Sequence, residues 1–408
     1  MKIITDLHIH SGYARACSKK LTLLNIDIWA NKKGIDIISV ADFTHPERIK
    51  EIKKYLTEVG SSGLYKIKNS KTSVLFIMST EVAVIYRHND KTRRLHLCVF
   101  LSNLNKVEKF NKELASRGAK LKSDGRPILG MSSKDILKII KQVDKDGFLV
   151  PAHIWTPWFG LLGSKSGYDS IEECFEELSS EIKAIETGLS SSPAMNRSLS
   201  QLDDINLLSS SDSHSLPNIG RNATVFDLEK LTYLELKKAI QNPNSGKLIG
   251  TLEFYPEEGI YFLDGHRKCN IVFTPEQSNK HKGVCPKCKR LLTLGVMHRV
   301  YDLADRKEKD IHSLYNCVNF IPLQDIIAEV FNVGKESKKV QTTYEEIIRL
   351  GGSEFNVLLN LSLDQLQNIC DKKIVTAIDR VRSGNVKLIP GYDGKYGKVK
   401  IFSKSKKY

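Results

Sequence analysis

Short apolar runs alternate with amphipathic stretches through the first 250 or so residues. Ile3-Ile4, Ile37-Ile38-Ser39-Val40, Val74-Leu75-Phe76-Ile77-Met78, Phe148-Leu149-Val150 and Ile205-Asn206-Leu207-Leu208 read as strands. Leu95, Leu97 and Val99 alternate around a histidine and mark another. Residues 24–33, 46–59, 103–114, 133–143, 170–178 and 194–202 carry helical spacing. This alternation predicts an α/β fold with parallel strands joined by crossover helices. Roughly seven such units fit, close to a full (β/α) barrel. Asn242-Pro243-Asn244-Ser245-Gly246 is a strong breaker and predicts a domain edge near residue 250. Beyond it the texture changes. Gly259-Ile260-Tyr261-Phe262 reads as a strand leading into a Cys-rich segment. Residues 300–313, 320–331, 344–350 and 363–382 read as helices, with a basic break at 335–339. The expected organisation is a barrel over 1–250, a small module over 251–300 and a helical, basic region over 301–408.

Composition sharpens this picture in three ways. With 62 Lys+Arg against 47 Asp+Glu, the chain carries a net charge of +15 and suits a polyanionic partner, nucleic acid above all. No apolar run approaches the roughly 20 residues that span a bilayer. The N-terminus enters a strand with no charged-then-apolar leader, so no membrane association and a cytoplasmic location are expected. The eight Cys do not form a disulfide framework. Cys17, Cys98, Cys174, Cys317 and Cys370 are isolated, and Cys269, Cys285 and Cys288 cluster, as expected of reduced thiols plus one metal site.

The candidate chemistry lies at the strand ends. His8, His10, Asp42, Glu81, His96, His153, Asp212 and His214 follow one another, most at the downstream end of an apolar run. A closed parallel barrel collects those ends at one mouth, so distant residues converge. His8-x-His10 places two imidazoles on one side of a strand, with Asp6 leaving the same face, and Asp212-x-His214 repeats the spacing. Glu81 offers a carboxylate able to bridge two metals. Such a set acidifies water and polarises phosphoryl oxygens. A lone His is more often a hydrogen-bonded core residue; eight ligands at strand ends outweigh that reading.

Asp6-Leu7-His8-Ile9-His10, Ala41-Asp42-Phe43, Glu81, His96, Pro151-Ala152-His153 and Ser211-Asp212-Ser213-His214 resemble the motifs of the PHP (polymerase and histidinol phosphatase) domain. The resemblance implies a distorted seven-stranded barrel holding two or three divalent metals (Zn, Mn or Mg). Carried over by position, His8, His10, Glu81 and Asp212 hold the first. Glu81, His96 and His153 hold the second. His214 with a residue of the second motif holds a third. That motif departs from the family's Thr-Asp-His: Phe43 cannot ligate, which leaves Asp42 or His45. Amidohydrolases also open on His-x-His but fit Glu81 and Asp212-x-His214 less well.

His266-x-x-Cys269 and Cys285-x-x-Cys288 are two knuckles that can close a tetrahedral site. Three thiolates and one imidazole leave no open position, so this zinc is expected to be structural; His281 competes with His266 as fourth ligand. Gly265-His266-Arg267-Lys268-Cys269, Cys285-Pro286-Lys287-Cys288, Gly295-Val296-Met297-His298-Arg299-Val300 and Pro390-Gly391-Tyr392-Asp393-Gly394-x-Tyr396-Gly397 narrow the resemblance to the endonuclease Q family, over almost the whole chain and in the same order. It implies a metal-dependent endonuclease that nicks DNA on the 5′ side of deaminated bases (uracil, hypoxanthine, xanthine) or abasic sites, leaving 3′-OH and 5′-phosphate ends. Glu81, Asp212, His8 and His10 carry the catalysis in this reading. No Gly-x-x-x-x-Gly-Lys-Ser/Thr loop supports a helicase. Candidate DNA contacts are Trp155, Trp158 and Phe159 in the loop after His153, Arg221 and Asn222 after Asp212-x-His214, and Tyr392 and Tyr396 in the tail. Lys398, Lys400, Lys404, Lys406 and Lys407 add nonspecific affinity. A sliding clamp is a weak candidate partner, its only sign the segment from Gln324-Asp325-Ile326-Ile327 to Phe331, which matches a clamp-binding peptide poorly. The rival readings are a PHP-type phosphatase or exonuclease, and a noncatalytic DNA-binding module.

Overall fold

A computed structural model describes residues 1–306 and 316–402. Three sheets carry the first part of the chain. The largest has the order β16-β13-β12-β1-β2-β5-β4-β3. Its strands are β1 (Lys2–Asp6), β2 (Ile37–Ser39), β3 (Leu56–Glu58), β4 (Leu64–Ile67) and β5 (Leu75–Ile77), with β12 (Ala223–Asp227), β13 (Leu248–Glu253) and β16 (Asn316–Asn319). A second sheet, β8-β6-β7-β9, joins β6 (Ser79–His88), β7 (Lys91–Phe100), β8 (Ile128–Leu129) and β9 (Phe148–Pro151). β10 (Ala184–Glu186) and β11 (Asn206–Leu208) pair in parallel. The Ile154 N–H reaches Glu186 O at 3.1 Å, joining the end of β9 to β10. His10 N–H reaches Ser213 O at 3.0 Å, joining the end of β1 to the segment after β11. The strand ends carrying the ligands therefore share one mouth.

Parallel pairing holds for β1–β2, β2–β5 and β10–β11, but β6 and β7 form a long antiparallel hairpin. The cause is local. Asn89 and Asp90 both adopt positive φ, 48° and 57°, as a two-residue hairpin turn requires. Helix Ser133–Val143 forms as expected, with Ser132 and Asp135 making a capping box. Other helices are shorter than the spacing predicted. Helix Pro46–Tyr55 stops where Leu56 buries itself and pairs with Ile67. Residues 170–178 split at Glu176, whose φ of 50° breaks the helical path. Residues 194–202 split into Pro193–Asn196 and Ser200–Leu202. Residues 363–382 are two helices, the second, Lys372–Arg382, capped afresh by Asp371. Gly259–Phe262 is no strand; it follows the turn Pro256–Glu258. Helix Val296–Leu303 starts earlier than predicted, and 307–313 of that expectation lie outside the described residues.

Asn242–Gly246 breaks a helix but not the sheet. β13 pairs with β12 across it, and β16 pairs with β13 in parallel from Gly250–Asn316 to Glu253–Asn319. One apolar core runs from Ile3 through the C-terminal helices to Ile401. The C-terminal helices are bolted down by a buried pair, Lys33 Nζ to Glu354 Oε2 at 2.7 Å. The same carboxylate accepts from Tyr344 Oη and the Leu323 N–H. The hairpin of β14 (Asp264–His266) and β15 (Ile271–Phe273) stands apart with its own buried Phe262, Cys285 and Leu292. The strands β17 (Lys387–Ile389) and β18 (Lys398–Lys400) close the chain. The clamp-like segment forms helix Leu323–Phe331 with Leu323, Ile326 and Ile327 in the core, so no clamp peptide is on offer. No helix among the described residues is long and apolar enough to cross a membrane.

Candidate metal centre

The backbone turns hard where the ligands sit. Ala41, Asp42, His153 and Asp212 all adopt positive φ (57°, 47°, 28° and 45°), conformations that cost non-glycine residues energy and cluster at functional sites. Gly188, at φ 67°, lets the chain pass His153; a Cβ there would lie 2.5 Å from the His153 Cβ.

His8, His10, Glu81 and Asp212 bring one ligand atom each to within 4.8 Å of one another. His10 Nε2 lies 3.1 Å from Glu81 Oε2 and 3.2 Å from Asp212 Oδ1. His8 Nε2 lies 3.6 Å from each of the same oxygens. Glu81, His96 and His153 form a second group. In the antiparallel register Glu81 opposes Cys98 and His96 opposes Ala83, so Glu81 and His96 are diagonal neighbours on one face. His96 Nδ1 and His153 Nε2 approach the other oxygen, Glu81 Oε1, at 2.7 and 3.2 Å. One carboxylate thus divides its oxygens between two ligand groups.

The donor set fits divalent metals. His8 Nε2, His10 Nε2 and Asp212 Oδ1 are buried without a hydrogen-bond partner, a costly state for polar atoms in a protein interior. Burial holds His96 down to about 4, so its imidazole is neutral and able to ligate. Burial would raise Glu81, but the charges of Arg126 and His8 and the His10 ring beside it hold it well below the usual carboxylate range. Asp212 is likewise lowered against its burial by His10 and His8. Burial opposes charging of His8 and His10, yet the surrounding carboxylates raise both. A divalent cation would supply the charge that those carboxylates otherwise draw from protons.

The other ring nitrogen of each histidine is held from behind. His10 Nδ1 faces Asp42 Oδ1 at 3.1 Å, and Asp42 Oδ2 accepts from the Ser11 N–H and hydroxyl at 2.7 and 2.6 Å. His8 Nδ1 faces Glu186 Oε2 at 2.9 Å, and that oxygen also accepts the His153 N–H at 3.3 Å. Such partners fix tautomer and ring orientation. Asp42, expected as a ligand, stands outside the ligand groups found among the described residues, and its oxygens face His10 and Ser11. Glu186 was missed from the sequence, and so was Arg126, whose guanidinium sits 2.9 Å from Glu81 Oε2. Cys98 groups with His8 and Glu186. Burial pushes its thiol up to about 12, so it stays neutral. No third group forms around His214 among the described residues. His214 Nδ1 bonds the Asp212 carbonyl at 2.8 Å, while His45 caps a helix and stacks on Tyr13. Phe43 lies in the core against Phe110.

The second metal-type cluster is compact. His266, Cys269, Cys285 and Cys288 lie within 4.8 Å of one another, with Cys288 Sγ 3.5 Å from His266 Nδ1. His281 stacks on Phe273 and is not in the group.

The expected DNA contacts divide. Trp158 is exposed and lines the metal mouth with His96, His153, Asp212 and His214. Phe159 packs 4.3 Å from the His96 ring. Tyr396 is 74% exposed, and Arg221 beside it donates to Ser211 O and Asp212 O. Trp155 is buried with its indole N–H on Asn196 Oδ1 at 2.8 Å, so it cannot meet a strand. Asn222 is buried and bonded to Gly188 O and Ser209 Oγ. Tyr392 is buried with its hydroxyl on Asn270 Oδ1. Lys398 and Lys400 lie in β18, while Lys404, Lys406 and Lys407 lie outside the described residues.

A family model described as the MJ0043 C-terminal domain matches residues 322–385, which hold the last four α-helices among the described residues. YqxK of Bacillus subtilis (strain 168) is 30% identical over 419 aligned residues, covering 98% of this chain and 99% of YqxK. The crystal structure of PfuEndoQ, a lesion-specific endonuclease from Pyrococcus furiosus, matches with a TM-score of 0.85 at 29% identity, over 98% of this chain and 95% of that one. A crystal structure of endonuclease Q with a 27-mer duplex substrate, an abasic lesion at its active site, matches with a TM-score of 0.86 at 28% identity, over 99% and 97% of the two chains. With nearly full-length agreement in sequence and in fold, the chain belongs to the endonuclease Q family.

Proposed function

We propose that this chain is a metal-dependent DNA repair endonuclease. It hydrolyses the phosphodiester on the 5′ side of a deaminated base or an abasic site. The ligand-bearing strands form a distorted seven-stranded PHP barrel, with a zinc-binding module and a helical, basic C-terminal region alongside. The observation that carries this reading is the division of Glu81 between two ligand groups. His8, His10, Glu81 and Asp212 would hold one divalent ion, and Glu81, His96 and His153 another. When bound, the ions acidify water and draw charge from the phosphate oxygens.

The protein's own groups do the rest. Glu186 and Asp42 hold His8 and His10 in the tautomer that presents Nε2 inward. Asp212 Oδ1 orients the attacking water. Arg126 and His214, on the rim of the same cavity, face the phosphate. The P–O3′ bond breaks and the 3′ oxygen leaves with a proton, giving 3′-OH and 5′-phosphate ends. Trp158, exposed at the rim, packs against the unstacked lesion nucleotide. His266, Cys269, Cys285 and Cys288 hold a structural zinc.

An end-labelled nicking assay tests the reading. One duplex carries a single uracil, hypoxanthine or abasic site; another is undamaged. Each is incubated with manganese, magnesium or zinc. The expected result is one metal-dependent cut 5′ of the lesion, absent in Asp212→Ala. Lesion-independent release of mononucleotides or inorganic phosphate would overturn it in favour of an exonuclease or phosphatase.

A further inference from the structure

A roomy cavity opens beside the metal mouth. It has a volume of about 960 Å³ and lies between the end of the β6–β7 hairpin and the loop from Trp158 to Asp169. That is near the top of the range for ligand pockets, roughly 300–1,000 Å³. Trp158 lines this cavity and also the metal mouth, so the two spaces meet at one indole.

The loop holds its place by backbone bonds to β7. His96 N–H reaches Phe159 O at 2.9 Å, and Arg94 N–H reaches Ser166 O at 3.3 Å. The Ser166 hydroxyl returns to Arg94 O at 3.2 Å. Lys91, Arg94 and Lys165 all line the cavity. The wall's acids are already engaged. Asp169 is paired with Arg299, and Glu173 accepts the Asp169 N–H. Arg93 is also engaged, lying 3.9 Å over the Tyr168 ring and donating to Gly167 O. Lys91, Arg94 and Lys165 have no carboxylate partner among the described residues. Three unneutralised cations thus line a roomy, polar space. At its junction with the cleavage site stands a 42% exposed tryptophan, braced edge-on by Tyr261 at 6.0 Å.

Cations that track a backbone, next to an aromatic face on which a base can stack, suit a nucleic-acid strand without sequence preference. A cleft of this width does not suit one small anion. Resting on the nuclease reading above, we infer that this cavity takes a single-stranded stretch of the DNA adjoining the cleaved bond. Its phosphates lie on Lys91, Arg94 and Lys165, and one base stacks on Trp158. The strand therefore leaves the metal mouth separated from its complement on that side.

The test needs no cleavage. Full-length Asp212→Ala protein is titrated with a thymidine octamer, following tryptophan emission and the anisotropy of an end label at several salt concentrations. The octamer should quench emission, and Trp158→Phe should abolish the quench, since Trp155 is buried and the half-buried Trp29 stacks on Tyr344 and lines neither cavity. Joint Lys91→Ala, Arg94→Ala and Lys165→Ala changes should weaken binding about tenfold or more. They should also reduce the slope of log K against log salt by about 2, three phosphate contacts being lost from a single strand. Joint Lys109→Ala, Lys112→Ala and Lys238→Ala changes remove the same charge from exposed positions lining neither cavity, and should alter affinity less than about twofold. Equal effects of the two triple variants would overturn the inference. So would an unchanged Trp158 signal, or thymidine 5′-phosphate binding as tightly as the octamer. A protein that binds the octamer through these residues but nicks no lesion would overturn the nuclease reading and leave this one standing.

Discussion

The two metal-type clusters are built in opposite ways. The cysteine cluster draws four ligands from residues 266–288, carried by a short hairpin with few buried side chains. The mouth draws its candidate ligands from residues 8–212: Glu81 and His96 stand within the β6–β7 hairpin, and the others on the segments that follow β1, β9 and β11, against the main core. In the first, a metal would organise the fold; in the second, the fold would organise a metal. The supports differ accordingly. At the mouth Asp42 and Glu186 brace the ligands from behind, whereas the cysteines depend on one another.

That contrast can be broken most severely at Asp212. Asp212→Ala removes a ligand but little packing. Nicking should fall by at least about a thousandfold while the thermal transition stays within a few degrees, read by single-turnover cleavage and calorimetry. A comparable loss of fold would mean that the mouth needs its metal to form. The cysteine cluster should answer the other way. Cys285→Ser should lower zinc content by one equivalent and open the hairpin to protease, while residues 1–250 resist. Structural zinc contributes on the order of 10 kcal/mol in small modules, and no nearby core replaces it here. Uniform resistance would show a self-sufficient hairpin.

Glu186→Gln should weaken metal binding at the mouth about 10- to 100-fold, with Glu186→Asp recovering part of it, as measured by competition with a chelating dye. Unchanged affinity would make Glu186 a core residue only. The smallest expected effect lies deeper in the sheet. Burial pushes the Glu253 carboxyl up to about 7 from 4.5. A raised folded-state pKa favours the neutral form, so its stabilising contribution is full below about pH 4.5 and is lost as pH rises through 7. Glu253→Gln should therefore exceed the parent in stability at pH 8 by on the order of 3 kcal/mol, the gap closing toward pH 5. A pH-independent difference in denaturant midpoint would refute that account.

The two clusters also differed in what the sequence disclosed. Cys-x-x-Cys spacing is local, so its partners were legible from residue numbers, and His281 was the sole competitor. The mouth was legible through the ends of apolar runs, because strands aim their last residues at one place. Its supports were not. Glu186 closes a three-residue strand, Ala184–Glu186, too short to show a period. That Asp42 faces His10 and Ser11 was not legible either, because a carboxylate's type does not reveal which way it faces. Trp155 and Trp158 were indistinguishable until the left-handed turn at Phe159 (φ 66°) and the bond to Asn196 separated a core residue from a rim residue. The sheet's continuation through β13 into β16 was invisible, since strand pairing over more than sixty positions leaves no local trace.

The pairing of β13 with β16 changes how the chain's architecture can be handled. The polypeptide leaves the sheet after Glu253 and rejoins it at Asn316, hydrogen-bonded in register with the strand it left. The intervening span is thus an excursion anchored at both feet, and the ordinary scissors of domain dissection do not apply. A cut near residue 250 would shear a sheet and expose an unpaired edge. Loss of the cysteine module that keeps this pairing must therefore proceed by deletion from within, retaining Tyr255, Val296 and Val300 in the core and a crossover long enough to join parallel strands.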